Sequence, residues 1–154
     1  MTIAKLIALF LIINFGGLAL GGWLMAGGSS GEWYTNLNIA PWTPPGWVFG
    51  FAWTTIMICF SVYLGYHFNI LKGSRIIWLF SLQLFLNVIW NYVFFNRHWI
   101  GLGLTVILAL TLVVFFYFFA FKTGKLAQIR FLLIPYMLWL CIATSLNAYI
   151  YLNN

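Results

Sequence analysis

Residues 100–121 read IGLGLTVILALTLVVFFYFFAF and contain no charged side chain. An α-helix needs roughly 20 consecutive apolar residues to cross a hydrocarbon core of about 30 Å, so this stretch is long enough for one span. Transmembrane β-strands are about 10 residues long and alternate apolar with polar side chains, a pattern that this stretch lacks. It therefore predicts a membrane-spanning α-helix.

Four other long uncharged stretches share this character: 6–31, 33–71, 76–96 and 131–154. Each holds one span once the polar segment 27–41 is set aside. The sequence therefore predicts an all-α integral membrane protein, with residues 1–154 forming a single domain built as a bundle of five transmembrane helices. The expected helix bounds are approximately 4–25, 44–66, 76–95, 100–121 and 128–151.

The composition indicates that lipid is the solvent for most of the surface. Charged residues make up 5% of the 154 residues, hydrophobic residues 64% and aromatic residues 21%. Soluble domains carry about 25% charged residues because a water-facing surface needs them. Seven basic residues and one acid are too few to coat a soluble globule of this size.

The charged residues lie in short connectors, which is typical of topology signals and not of a nucleic-acid-binding patch. With five spans, one side of the membrane carries Lys5, Lys72, Arg75, Lys122, Lys125 and Arg130. The opposite side carries Glu32, Arg97 and His98. The positive-inside rule then predicts a cytoplasmic N-terminus, and we expect a multi-pass protein of a bacterial cytoplasmic (inner) membrane.

The first span is predicted to be a retained helix, because its apolar stretch exceeds the roughly 7 to 15 residues of a signal peptide. Gly17 and Gly21 have the small-xxx-small spacing that lets helix backbones approach closely in lipid. The spacing leaves open whether this contact lies inside the bundle or between subunits.

Prolines mark two helix features. Thr43 is predicted to be the N-cap of the second helix, with Pro44 and Pro45 in its first turn, where a missing N–H costs nothing. Pro135 lies a turn or two into the fifth helix and predicts a bend there.

Two interpretations stay open for Trp33, Tyr34 and Trp42, which follow the first helix. These rings are either interfacial anchors, as indole and phenol groups often are, or part of a loop folded over the mouth of a pocket.

Hydrolytic and metal chemistry is disfavoured by the residues available. Glu32 is the only acid, so no carboxylate pair exists for general acid–base work. His67 and His98 are expected near opposite membrane faces, too far apart to ligate one metal ion. No P-loop, zinc motif or nucleophile elbow is present. We therefore predict no metal site and no cofactor.

The third helix carries unusual polarity. Its residues Gln83, Asn87, Trp90, Asn91 and Phe94 follow the spacing of one helical face. Amides are costly in lipid unless they are hydrogen-bonded, so this face should point into the bundle. It either ties helices together or, with its large aromatic residues, forms a slot for a flat and mostly apolar ligand.

Two other helices offer matching faces. The fifth helix presents Trp139, Ala143, Leu146 and Asn147, and the second presents Trp53, Met57 and Phe60. Any one of these faces is more often core packing. The three faces together, capped by an aromatic loop, favour a ligand cavity.

Three segments resemble the TspO/MBR family, which comprises tryptophan-rich sensory proteins and the mitochondrial translocator protein (peripheral benzodiazepine receptor). The first contains Trp33 and Tyr34, then PWTPPGWVFG at 41–50, then Trp53. The second is QLFLNVIWNYVFF at 83–95, and the third is PYMLWLCIATSLN at 135–147. The resemblance covers nearly the whole chain in the expected order.

The resemblance implies a membrane protein, commonly a homodimer, with a pocket beneath the first loop. Family members bind porphyrins such as protoporphyrin IX, and some bind cholesterol and isoquinoline or benzodiazepine drugs. The implied ligand-binding residues are Trp42, Pro44, Trp53, Gln83, Asn87, Trp90, Trp139, Ala143 and Asn147, with Trp33 and Tyr34 on the lid loop. Some bacterial members degrade protoporphyrin IX in a light- and oxygen-dependent reaction, which implicates tryptophans matching Trp53 and Trp139.

Two departures from the family pattern qualify these expectations. Residues 146–154 contain Tyr149 and Tyr151 but no basic residue, which argues against high-affinity sterol binding. Ser81 is followed four positions later by Phe85, so the small-xxx-small dimer face of some members is missing from the third helix. A dimer of this chain would then use a different interface.

Three functions follow from these features. The first is a binding protein for porphyrins and related flat hydrophobic ligands, acting in tetrapyrrole sensing, scavenging or regulation. The second is a light- and oxygen-dependent porphyrin-degrading enzyme, and the third a porphyrin or sterol transporter. Transporters usually show inverted repeats and broken mid-membrane helices, and the sequence shows neither. We rank binding first, the enzyme second and transport third.

Overall fold

The computed structural model describes residues 1–154 and contains helices but no strand. Five helices are long and apolar enough to cross a membrane. They are α1 (Ile3–Leu24), α2 (Gly46–Ile70), α3 (Ser74–Asn91), α4 (Ile100–Ala120) and α5 (Ile134–Asn153). The predicted bundle of five transmembrane helices is confirmed, and the chain is an integral multi-pass membrane protein.

The first loop connects α1 to α2. It leaves α1 through left-handed positions at Ala26 (φ 48°), Gly27 (φ 103°) and Gly28 (φ 56°), a conformation that glycine adopts without strain. A 3₁₀ turn (Gly28–Ser30) and a short helix (Glu32–Thr35) follow. We call the end of the bundle that this loop covers the first-loop end, and the opposite end the N-terminal end.

The predicted start of α2 is wrong. The helix begins at Gly46, and Pro45, which is extended (φ −61°, ψ 152°), occupies the N-cap position. A residue that precedes proline is pushed out of the helical region, and this applies to both Thr43 and Pro44. The Thr43 hydroxyl instead donates to the Ala40 carbonyl at 2.7 Å. The helix can therefore begin only after the second proline, and it continues to Ile70, past the predicted end at 66.

The fifth span is interrupted before Pro135, not at it. A short helix (Leu126–Ile129) and a 3₁₀ turn (Arg130–Leu133) lead into α5. Pro135 lies in the first turn of α5, where its missing N–H has no helical partner to lose. Its ring would clash with the carbonyl four residues earlier in a continuous α-helix, which explains the change to 3₁₀ geometry just upstream.

A π-helical turn (Tyr92–Asn96) continues α3. The backbone N–H of Arg97 bonds to the carbonyl of Tyr92 at 2.9 Å, five residues back. Such turns are rare and are frequent at functional sites.

Close approach of α1 to α3 depends on two glycines. A Cβ atom added at Gly17 would lie 2.8 Å from Leu84 Cδ1, and one added at Gly21 would lie 2.7 Å from Asn91 Nδ2. The small-xxx-small face of α1 therefore packs inside the bundle. A buried hydrogen bond from Asn14 Nδ2 to Ser61 Oγ (2.8 Å) ties α1 to α2.

Two apolar clusters hold the bundle together. The larger lies toward the N-terminal end and includes Phe10, Phe60, Tyr63, Phe80, Tyr117 and Tyr136, drawn from all five helices. The smaller lies beneath the first loop and consists of Tyr34, Phe94, Phe95 and Ile150. Many large apolar side chains remain exposed on the outside, as expected where lipid covers the surface.

Candidate functional site

A cavity of about 350 Å³ lies at the first-loop end of the bundle, within the size range of small-molecule sites. All five helices and the first loop contribute to it. Its lining consists of Gly17, Leu18, Gly22, Met25, Ser29, Phe49, Gly50, Trp53, Thr54, Asn87, Trp90, Asn91, Phe95, Ile107, Trp139 and Ala143.

Three tryptophans form the large apolar walls of this cavity. Trp53 comes from α2, Trp90 from α3 and Trp139 from α5. Phe49 meets the Trp139 ring edge-to-face, with centroids 5.1 Å apart and planes at 89°. Indole rings held in this way offer rigid faces to a flat aromatic ligand.

Trp90 is held on two sides. Its Nε1–H donates to Asn147 Oδ1 at 3.3 Å, and its ring stacks on Phe94 with centroids 5.5 Å apart. Asn147 also donates from Nδ2 to the Ala143 carbonyl at 2.9 Å. Asn147 therefore lies behind the cavity wall and orients Trp90, while the small Ala143 side chain leaves space beside Trp139.

The amides of α3 have different environments. Gln83 donates from Nε2 to the Tyr136 hydroxyl at 2.9 Å and lies outside the cavity, so it ties α3 to α5. Asn91 lines the cavity but donates to the Asn87 carbonyl of its own helix at 3.0 Å. Asn87 also lines the cavity; its backbone carbonyl accepts the bond from Asn91, while its side-chain amide forms no hydrogen bond within the protein. It is therefore free to bond a ligand.

Trp42 and Pro44 do not reach the cavity. The Trp42 Nε1–H donates to Ser145 Oγ at 3.1 Å, and its ring meets Tyr149 edge-to-face at 5.3 Å. The Trp42 side chain is 54% exposed and lies on the outer side of α5. These contacts fasten the end of the first loop to α5.

The two aromatic residues of the predicted lid cover the end of α3. Trp33 stacks on His98 with centroids 4.1 Å apart and meets Phe94 edge-to-face at 5.5 Å. Tyr34 is buried against Phe95, and burial raises the pKa of its phenol above the ordinary value. Neither residue lines the cavity directly. The loop residues that do are Met25 and Ser29.

Two residues predicted on the α2 wall lie elsewhere. Met57 and Phe60 are each 1% exposed and belong to the larger apolar cluster. They follow Trp53 by one and two turns toward the N-terminal end, below the floor of the cavity. The spacing gave the correct helix face but not the depth at which the cavity ends.

Sequence reasoning missed the small residues of the cavity. Gly22 and Gly50 line it and are exposed, and a Cβ atom at either would meet no atom within 4 Å. Together with the exposed Thr54 they leave the cavity open on the side of α1 and α2. The glycine spacing in α1 is the sequence signal for this face, but spacing alone does not distinguish a helix-packing contact from a cavity wall.

These features define a class of small five-helix membrane proteins with an aromatic-walled cavity at one end of the bundle. Residues 8–152 match the model of the TspO/MBR family, and the chain belongs to that family. The family predicted from the sequence is thereby confirmed.

Individual relatives are similar to this chain over three quarters of its length or more. The chain is 33% identical over 156 residues to tryptophan-rich protein TspO of Archaeoglobus fulgidus, covering 100% of this chain and 99% of that one. It is 35% identical over 118 residues to the tryptophan-rich sensory protein of Cereibacter sphaeroides, covering 75% and 73%. It is 29% identical over 144 residues to the human translocator protein, covering 80% of this chain and 75% of that one.

Proposed function

We propose that this protein binds porphyrins and related flat hydrophobic ligands in the cavity and acts in tetrapyrrole sensing, scavenging or regulation. The observation that carries the proposal is the Asn87 amide, which faces an aromatic-walled cavity without a protein partner. A hydrogen bond from a ligand to this amide would contribute roughly 0.5–1.5 kcal/mol to binding.

The three tryptophan walls suit the shape of a porphyrin. A macrocycle is flat and apolar on both faces, and indole rings stack on such faces favourably. Its polar groups lie on the ring nitrogens and on carboxylate side chains at one edge. The opening beside Gly22 and Gly50 gives that edge room to extend beyond the cavity.

Titration with protoporphyrin IX tests the proposal. Trp53, Trp90 and Trp139 line the cavity, so bound porphyrin should quench intrinsic tryptophan fluorescence saturably. An unrelated helical membrane protein at the same detergent concentration controls for porphyrin dissolved in micelles. Quenching that does not saturate, or that the control protein reproduces, would refute specific binding.

A second candidate function is light- and oxygen-dependent breakdown of the bound porphyrin. Trp53 and Trp139 both line the cavity, so two oxidisable indoles would contact the ligand. Protein mixed with protoporphyrin IX should then yield a new absorbing product in light and oxygen but not in darkness. If the same product forms at the same rate without protein, the enzymatic function is ruled out and binding remains.

A further inference from the structure

A second group of polar side chains lies in the larger apolar cluster, away from the cavity. The Tyr63 hydroxyl lies 3.1 Å from His67 Nδ1, and both side chains are fully buried. His67 Nε2 and the Tyr117 hydroxyl are buried without any partner. An ionisable residue buried within a membrane span is rare and costly, and it commonly marks a functional pathway.

A continuous series of aromatic rings joins this group to the cavity. Trp53 lies in the cavity wall, and its ring centroid is 6.1 Å from that of Tyr136. Tyr136 meets Phe60 at 5.4 Å, and Phe60 stacks on Tyr63 at 6.3 Å with planes 9° apart. Each separation is within the 4.5–7 Å range of directly packed aromatic pairs. Ring contact is therefore unbroken from the cavity to Tyr63.

The three buried tyrosines of this region differ in one chemical respect. A tyrosine that loses an electron also releases its phenolic proton, so a base must be in contact with it. Tyr136 accepts a hydrogen bond from Gln83, whose amide is too weak a base for this task, and Tyr117 has no partner at its hydroxyl. Tyr63 alone contacts an imidazole nitrogen, which takes up a proton in the tautomer that leaves Nδ1 bare. The only other group within hydrogen-bond distance of its hydroxyl is the Tyr117 carbonyl at 3.5 Å, which is not a base.

We propose that Tyr63 and His67 form a redox-active pair that supplies an electron to Trp53. The inference rests on the proposed function, because the oxidant is a photoexcited porphyrin in the cavity. The porphyrin takes one electron from the Trp53 indole and becomes a radical anion. Tyr63 then donates one electron to the oxidised Trp53 through the rings of Tyr136 and Phe60.

The proton moves at the same time as this electron leaves. The Tyr63 O–H bond breaks and a new N–H bond forms at His67 Nδ1, giving a neutral tyrosyl radical beside an imidazolium. When the electron of the porphyrin radical anion reaches the Tyr63 radical by way of Trp53, the proton returns from His67 Nδ1 to the Tyr63 oxygen, and the porphyrin and both residues are restored. The pair would thus separate an oxidising equivalent from the ligand and protect the cavity indole from permanent oxidation.

Electron paramagnetic resonance on the frozen full-length protein tests the pair without any porphyrin. Tryptophan is ionised by light at the red edge of its absorption, where tyrosine does not absorb. We expect a tyrosyl radical coupled to an imidazole nitrogen in the unaltered protein, and loss of that coupled component in Tyr63→Phe and in His67→Gln. Tyr149, which meets Trp42 at 5.3 Å, can give only an uncoupled signal. Tyr117→Phe is the matched control: it removes a buried hydroxyl of the same cluster that lacks a base, and it should leave the signal unchanged.

A second measurement needs no substitution and so does not depend on the folding of variants. Unaltered protein grown with isotope-labelled histidine should show hyperfine coupling between the tyrosyl radical and an imidazole nitrogen. His67 is the histidine in contact with a buried tyrosine, so it would be the source. Absence of a tyrosyl radical, absence of this coupling, or coupling that persists in folded Tyr63→Phe would each overturn the pair.

Visible illumination with protoporphyrin IX then separates the pair from the proposed function. A tyrosyl radical that forms under visible light, and is lost in Trp53→Phe, would support both. A radical that forms by tryptophan ionisation but not with illuminated porphyrin would leave Tyr63 and His67 as a redox pair. That result would remove the porphyrin in the cavity as its oxidant.

Discussion

The Nε1–H of Trp90 in α3 donates a hydrogen bond to Oδ1 of Asn147 in α5, 3.3 Å away. The bond crosses between two helices and fixes the plane of a cavity wall from behind. A second tryptophan is bonded to the same helix on its outer side, where Trp42 donates to Ser145 at 3.1 Å. The two bonds are similar in kind and differ in whether the indole faces the cavity.

This pair of bonds gives a matched test of the cavity wall. Asn147→Ala should release the Trp90 indole and weaken protoporphyrin IX binding about two- to tenfold, the loss of roughly one hydrogen bond. Ser145→Ala removes the comparable partner of Trp42 and should leave affinity unchanged. Fluorescence titrations of both variants measure the effect, and equal weakening in the two would show that the loop attachment matters as much as the wall.

The amides of α3 make a second prediction. Asn87→Ala should weaken porphyrin binding by roughly 0.5–1.5 kcal/mol, or about two- to tenfold, because the amide faces the cavity unpartnered. The melting temperature of the free protein should change little. Gln83→Ala should lower the melting temperature, because it removes an interhelical bond to Tyr136 worth about 0.6 kcal/mol. It should leave porphyrin affinity unchanged, because Gln83 does not line the cavity. An Asn87→Ala variant that melts early but binds normally would contradict this assignment.

A third prediction concerns the reaction proposed for the cavity. Trp139→Phe keeps an aromatic wall, so porphyrin affinity should largely survive while light-dependent breakdown falls if the indole takes part. Phe49→Leu is a useful companion, because it alters the edge-to-face neighbour of Trp139 and keeps the indole. Product formation under light, normalised to bound porphyrin, is the measurement. A parental rate in Trp139→Phe would exclude a role for that indole.

Stability should depend on the glycine contacts of α1. Gly21→Ala would place a methyl group 2.7 Å from Asn91 Nδ2, and overpacking of this kind costs about 1–3 kcal/mol. Gly16→Ala lies on the same helix with nothing within 4 Å, so it should be neutral or slightly stabilising. Thermal unfolding in detergent compares them, and equal melting temperatures would disprove the close contact.

Membrane orientation can be tested by labelling. Cys59 and Cys141 are first replaced by alanine, since Cys141 is exposed. A cysteine placed at Lys72 should then react with an impermeant reagent from the cytoplasmic side, and one placed at Glu32 only from outside, following the bias of basic residues. The opposite pattern would reverse the predicted topology.

The number of spans could be predicted because each helix is bounded by charged or polar connectors, and this signal is local in sequence. The prediction for the start of α2 is wrong, because two prolines keep the residues before them out of the helical region, and this outweighs the capping side chain of Thr43. The faces of α3 and α5 were also predictable from spacing. Spacing does not predict how deep in the bundle a side chain lies or which group it bonds. Gln83 and Asn87 lie on one face of α3, yet only Asn87 reaches the cavity.

The arrangement of the two apolar clusters has a mechanical consequence. Four side chains, each no more than 1% exposed, fill the half of the bundle toward the N-terminal end: Tyr63, Tyr117, Tyr136 and Leu133. The cavity is therefore closed at this end. A ligand in this cavity exchanges at the first-loop end or through the opening beside Gly22 and Gly50, because closely packed side chains separate the cavity from the N-terminal end.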